Sequence, residues 1–136
     1  ASLQPQYPLI HRSTETEILP FCRAAGLGVI PWGPVGAGFL TGKYRSEADT
    51  GKSVRGGRMA AYLNARGQRV LAALDNVAAE TGATQAQVAL AWLAAQPGVT
   101  APIASATSVG QLEDLLGVMT LDLSADQVRH LTEASN

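Results

Sequence analysis

Apolar residues recur along this chain at two different periods, and the alternation between them sets out the elements. Helical spacing, with apolar neighbours three and four residues apart, appears for Ile18, Cys22 and Ala25, and again for Val70, Leu71, Leu74, Val77 and Ala78. It returns for Val88, Ala91, Trp92 and Ala95, for Leu112, Leu115 and Leu116, and for Val128 with Leu131. Four helix starts are marked by pairs that fit a capping box: Thr14 with Glu17, Thr84 with Gln87, Ser108 with Gln111, and Ser124 with Gln127. In such a box each side chain satisfies an amide that the helix start would otherwise leave without a partner. Gly26 and Gly82 are expected to stop their helices, and Pro97-Gly98 to close the one ending near Gln96. Pro20 falls inside the first helix and is expected to bend it. Three short apolar runs bounded by turn residues read as strands, roughly Leu3 to Tyr7, Gly28 to Pro31 and Val99 to Ile103.

Strands alternating with helices predict an α/β fold, a parallel sheet with crossover helices. The stretch from Arg45 to Arg58 is polar, with Lys or Arg at 45, 52, 55 and 58, and predicts a long loop. No internal repeat is present, and the alanine bias of the helices follows from helix propensity. A chain of 136 residues, 46% hydrophobic, is expected to form one domain over 1–136. A complete eight-stranded barrel typically needs about 250 residues, so three strands predict a part of such a barrel or a variant of it.

Charge and reactive side chains remove several functions. The net charge is −1 and the basic residues are scattered, which argues against a nucleic-acid surface. Cys22 is the only cysteine, so no intrachain disulfide can form. No export signal or long apolar run is seen, and the expectation is a cytoplasmic protein without membrane attachment. His11 and His130 are isolated, no metal-ligand spacing occurs, and no serine, histidine and carboxylate order suggests a hydrolase.

One segment carries candidate chemistry. From Gly28 to Lys43 a short apolar strand runs into a loop with glycines at 33, 36, 38 and 42 and a lysine at its far end. Glycines let backbone amides approach a phosphate, and the lysine supplies a mobile cation. On spacing alone a phosphate loop and a flexible surface loop are equally open.

Residues around that loop add a resemblance. Gln4-Pro-Gln-Tyr-Pro-Leu, Leu19-Pro-Phe-Cys-Arg, the glycine-rich loop, Ala86-Gln-Val-Ala-Leu-Ala-Trp-Leu, Val99-Thr-Ala-Pro-Ile and Ser105-Ala-Thr-Ser-Val-Gly-Gln-Leu-Glu-Asp follow one another in a familiar order. From Leu3 onward the chain resembles the C-terminal part of the aldo-keto reductase family. The resemblance implies a partial TIM barrel, a half-barrel with about three parallel strands and crossover helices. It further implies the NADP(H)-binding part of a carbonyl reductase, with the cofactor across the C-terminal strand ends.

By this likeness Gln4 would bond the nicotinamide carboxamide and Trp32 would stack on the ring. Gly33, Val35, Gly36 and Ala37 would offer amides to the pyrophosphate, with Lys43 as point charge. Arg55 or Arg58 would reach a 2′-phosphate, and Thr107, Ser108, Gln111 and Asp114 would meet the adenosine end. Gln111 serves equally as the third residue of a capping box. Leu115 stands where the family commonly has asparagine, and Ser105 where it often has glycine or lysine. The family's catalytic Asp, Tyr, Lys and His come from the N-terminal half of the barrel, and Tyr7, Tyr44 and Tyr62 do not match the tyrosine. The expectation is therefore no catalytic residue, weak or lost cofactor binding, and no activity of the chain alone. A non-enzymatic nucleotide-binding or association module with a half-barrel fold is the alternative. Open strand edges and an uncovered apolar face imply self-association, or pairing with an N-terminal half-barrel.

Overall fold

A computed structural model describes residues 1–52 and 56–136. The three strand-forming runs lie side by side in parallel, but proline breaks up their ladders. β1 (Ser2–Leu3) pairs with β2 (Gly28–Val29), Ser2 opposite Gly28 and Leu3 opposite Val29. Beyond them the runs meet only through single bridges, Gln6 to Trp32, Val29 to Val99 and Trp32 to Ile103. The bonds that remain are sound: Ile30 N–H donates to the Leu3 carbonyl at 3.0 Å, Trp32 N–H to Pro5 at 3.0 Å, Thr100 N–H to Val29 at 2.7 Å and Ile103 N–H to Pro31 at 2.8 Å. Pro5, Pro31 and Pro102 have no N–H to continue the pattern. The expected three strands are thus corrected to a two-stranded sheet with a bridged third segment.

α1 (Ile18–Ala24) follows a 3₁₀ turn at Ser13–Glu15. The expected cap at Thr14 is not formed: the residue is buried, and its hydroxyl donates to the Gln6 carbonyl at 2.8 Å. Because α1 starts only at Ile18, Pro20 stands in its first turn, where no intrahelical bond is lost to it. α2 (Ala65–Thr81) is capped by Asn64, which accepts from Gly67 N–H at 2.9 Å, and ends at Gly82 with φ +70°. α3 (Gln85–Ala94) and α5 (Ala125–Ala134) open on the complete capping boxes of Thr84 with Gln87 and Ser124 with Gln127. α4 (Val109–Leu116) has half a box: Ser108 accepts from Gln111 N–H, while the Gln111 side chain turns to the amide and hydroxyl of Thr107. The loop expected around 45–58 contains 3₁₀ segments at Glu47–Lys52 and Gly56–Tyr62.

α2 packs on α3 and α5, and their apolar faces enclose the core around Trp92, Tyr7, Phe39, Leu71, Leu74 and Leu131. Cys22 is fully buried there, as its helical face requires. α4 differs, since no residue of it is buried. Leu112 and Leu116, on its predicted apolar face, are 49% and 56% exposed.

A polar network fastens the N-terminal segment to α5. Arg12 forks onto Glu15 at 2.7 and 2.8 Å, Tyr7 Oη donates to Glu15 at 2.6 Å, and Arg12 also donates to the Thr132 carbonyl at 2.8 Å. The Trp92 indole, 5.8 Å from the guanidinium carbon, donates to Thr132 Oγ1 at 3.0 Å. Partial burial pushes the Glu15 carboxyl up, but the bonds from Arg12 and Tyr7 and the guanidinium charge outweigh it and hold Glu15 below the usual carboxylate range. A depressed folded-state value gives stability that is present above the unfolded value, about 4.3 for Glu, and lost as pH falls through the folded value. We expect Glu15→Gln to lower stability by about 1 kcal/mol at pH 7 and to flatten the loss below about pH 4.5. Melting curves across pH check this, and parallel pH profiles for the two proteins would reject it.

Candidate functional site

The glycine-rich loop owes its course to backbone conformations that side chains rarely adopt. Gly33, Gly36, Gly38 and Gly42 have φ of +71°, +57°, +104° and +77°, and Ala37 joins them at +56°. At Gly36 a Cβ would come within 2.7 Å of Ile10 Cδ1, the movable end of a side chain, so it is the φ of +57° that calls for glycine there. The segment Gly36–Thr41 is 3₁₀, kinked at Ala37 and Gly38. Gly36 N–H donates to the Gly33 carbonyl at 2.9 Å and Gly38 N–H to Val35 at 3.0 Å, so these two amides are engaged within the loop.

Between this loop and the start of α4 lies a cleft of about 660 Å³. Gly33, Val35, Ala37 and Lys43 line it from the loop, and Thr107, Gln111 and Asp114 from the far segment. These seven residues, in two groups more than sixty positions apart in sequence, line one cleft. The other expected site residues lie elsewhere. Gly36 is buried, and the Ser108 hydroxyl is occupied as the α4 cap. Gln4 is exposed beyond β1, and Trp32, 48% exposed, is not a core aromatic; neither lines the cleft. Arg55 falls outside the described residues, and Arg58 is exposed.

Thr41, Ala86, Ile103 and Ser105 also line the cleft, without having been read as site residues. Asp114 has a further role that its position alone did not suggest. Its carboxylate accepts from Thr84 Oγ1 at 3.0 Å, and its carbonyl from Gln87 Nε2 at 2.6 Å. The capping box of α3 therefore also holds α4, and the only available signal was that Thr and Gln in such a box keep spare hydrogen-bonding capacity. Among the described residues no cluster of His, Cys, Asp and Glu could hold a metal, and no helix is long and apolar enough to cross a membrane.

The aldo/keto reductase family profile matches residues 1–136, and the chain belongs to that family. It is therefore related to oxidoreductases of TIM-barrel fold that generally use NADP(H). An aldo-keto reductase, AMT2, of Alternaria alternata is 30% identical over 132 residues, which cover 97% of this chain and 35% of that protein. The uncharacterized oxidoreductase YrpG of Bacillus subtilis is 36% identical over 131 residues, 96% of this chain and 39% of that protein. A probable aldo-keto reductase 1 of Glycine max is 32% identical over 135 residues, 98% and 39%. The chain thus spans less than half the length of the curated relatives it matches.

Proposed function

We propose that this chain is the cofactor-binding C-terminal part of an NADP(H)-dependent aldo-keto reductase, a half-barrel whose catalytic Asp, Tyr, Lys and His are supplied from elsewhere. The observation that carries the reading is the convergence of the glycine-rich loop and the start of α4 on one cleft. Its donors toward an anionic dinucleotide are the Lys43 ammonium and the Ser105 hydroxyl, since the Thr41 hydroxyl donates to the Gly38 carbonyl at 2.7 Å and that of Thr107 to Gln111 Oε1 at 2.9 Å. Lys43 and the amides of Gly33, Val35 and Ala37 would hold the phosphates, those of Gly36 and Gly38 being engaged within the loop, with Gln111 and Asp114 at the adenosine end and Gln4 and Trp32 at the nicotinamide end. The bound cofactor would supply hydride to an aldehyde or ketone, and this chain's part is to bind and orient it. Trp32, Ile103, Leu112 and Leu116 are 39–56% exposed, an apolar surface suited to a second copy or to an N-terminal half-barrel.

Titration with NADPH tests the cofactor reading directly. Calorimetry is expected to show weak binding that falls as salt rises, with Lys43→Ala weakening it about tenfold through loss of one charge-assisted phosphate contact. No heat and no thermal shift at millimolar NADPH would end the proposal.

A further inference from the structure

The chain leaving the cleft at Lys43 is fastened almost at once. Gly42 turns it with φ +77°, and its carbonyl accepts from Arg45 Nε at 2.7 Å. The two terminal nitrogens of Arg45 donate to the two carboxylate oxygens of Asp75 on α2, each at 2.7 Å. Asp75 Oδ1 also accepts from Gln85 Nε2 at 2.9 Å, and Gln85 opens α3 beside Ala86, which lines the cleft. The main chain of Arg45 is held as well: Asp49 accepts its N–H at 2.8 Å, and Gln68 of α2 donates to its carbonyl at 3.1 Å. All three guanidinium nitrogens, the N–H and the carbonyl are engaged.

Arg45 and Asp75 are 41% and 42% exposed, so solvent screening limits what the pair contributes to stability even with its bidentate fork. What the network does fix is the direction of the backbone at Gly42, and with it the place of Lys43. A Cβ on Gly38 would stand 3.4 Å from Lys43 Cε and 3.6 Å from Nζ, so the lysine lies back across the loop that walls the cleft. Gly42 lies close against both partners of the anchor, since a Cβ there would come within 2.7 Å of Arg45 Nη2 and 3.3 Å of Gln85 Cδ. A loop bracketed by four glycines is costly to order when a ligand arrives, and an anchor at its end removes part of that cost beforehand.

We infer that Arg45, through Asp75 and Gln85, is a positioning residue for Lys43, holding the Gly42 turn against α2 and α3 so that the ammonium stays at the cleft. The inference rests on the cofactor reading above for its ligand, but not for its geometry.

A double-mutant cycle on the whole chain, with NADPH as probe, separates positioning from local charge. Arg45→Met is expected to raise the NADPH Kd about tenfold, and to raise it by no more than about twofold when Lys43 is already Met, because the residue acts through the lysine. Arg45→Lys keeps the charge and loses the fork, so it should behave like Arg45→Met. Equal losses with and without Lys43, or full affinity in Arg45→Lys, would overturn the inference. A second arm needs no ligand. Amide order parameters for residues 38–43 should fall from about 0.85 toward 0.6 in Arg45→Met, and unchanged values would overturn it as well. Should Arg45→Met unfold, Asp75→Asn removes the same fork from the other side. An unmodified chain that ignores NADPH yet loosens in Arg45→Met would lose the cofactor reading and keep the anchor. Normal binding with an additive cycle would do the reverse.

Discussion

Replacing Gly67 by alanine is expected to destabilise the native state strongly. Gly67 is the third residue of α2, and its N–H is the one that Asn64 caps. In an open helix the change would help, since alanine is favoured over glycine by roughly 0.5–1 kcal/mol. Here the added Cβ would fall on the Tyr62 carbonyl oxygen, and would stand 2.9 Å from the Tyr62 carbonyl carbon and 3.1 Å from Phe39 Cζ. None of these atoms can give easily. The first two are backbone, and Phe39 is fully buried with its ring centroid 5.5 Å from that of Tyr62. Relief requires moving either the turn before α2 or the start of α2 itself, which breaks the cap and opens the core. A cost of about 3 kcal/mol or more is expected, a large part of the roughly 5–15 kcal/mol that holds a domain together. Gly110 in α4 supplies the control, because a Cβ there meets nothing within 4 Å. Gly110→Ala should leave the denaturation midpoint unchanged or raise it slightly. Circular dichroism in increasing urea reads both, and a Gly67→Ala protein with the unmodified midpoint would show that the close approach is not rigid.

That site also marks how far the sequence could be read. Local signals did well. The capping boxes of α3 and α5 require only side chains three residues apart, and the apolar face of α2 is buried as its spacing predicts. Signals that depend on a distant partner were silent. Thr14 has the chemistry of a cap, but the Gln6 carbonyl takes its hydroxyl, so α1 begins late. The ladders are shorter than the runs because each run contains a proline, Pro5, Pro31 or Pro102, which has no N–H for the ladder. The face of α4 has a regular helical period, yet period cannot say whether this chain or another surface covers it, and Leu112 and Leu116 are left half exposed. Within the candidate site the resemblance named residues that line both cleft walls, as it also named Gln4 and Trp32, which do not. The ties that set their spacing, Asp114 to Thr84 and Arg45 to Asp75, each bridge thirty positions and leave no mark in local sequence.

Purified alone, the chain is expected to show no carbonyl-dependent oxidation of NADPH above the uncatalysed rate. Hydride transfer leaves an alkoxide that must be protonated as it forms, and a positioned general acid typically contributes about 100- to 10,000-fold. The described residues lining the cleft include no tyrosine, histidine or cysteine, and of their ionisable members Lys43 is assigned to the phosphates and the Asp114 carboxylate accepts from Thr84 Oγ1. None of the three tyrosines lines the cleft. Tyr7 donates to Glu15, and burial, with that bond and the carboxylate charge, drives its phenol far above the ordinary value and away from proton transfer. Tyr44 is buried beside Lys43, and Tyr62 packs on Phe39. Under the proposed function the missing acid arrives with the other half of the barrel, and the exposed Trp32 and Ile103 lie on the strand segments such a half would meet. An N-terminal half-barrel carrying the Asp, Tyr, Lys and His should therefore co-elute with this chain and restore turnover, whereas the same partner with its tyrosine changed to phenylalanine should co-elute without restoring it. The assay is NADPH consumption over a panel of aldehydes and ketones, first with the chain alone and then with each partner. Robust turnover by the chain alone, lost on Trp32→Ala, would place the acid within these residues and refute the division of labour.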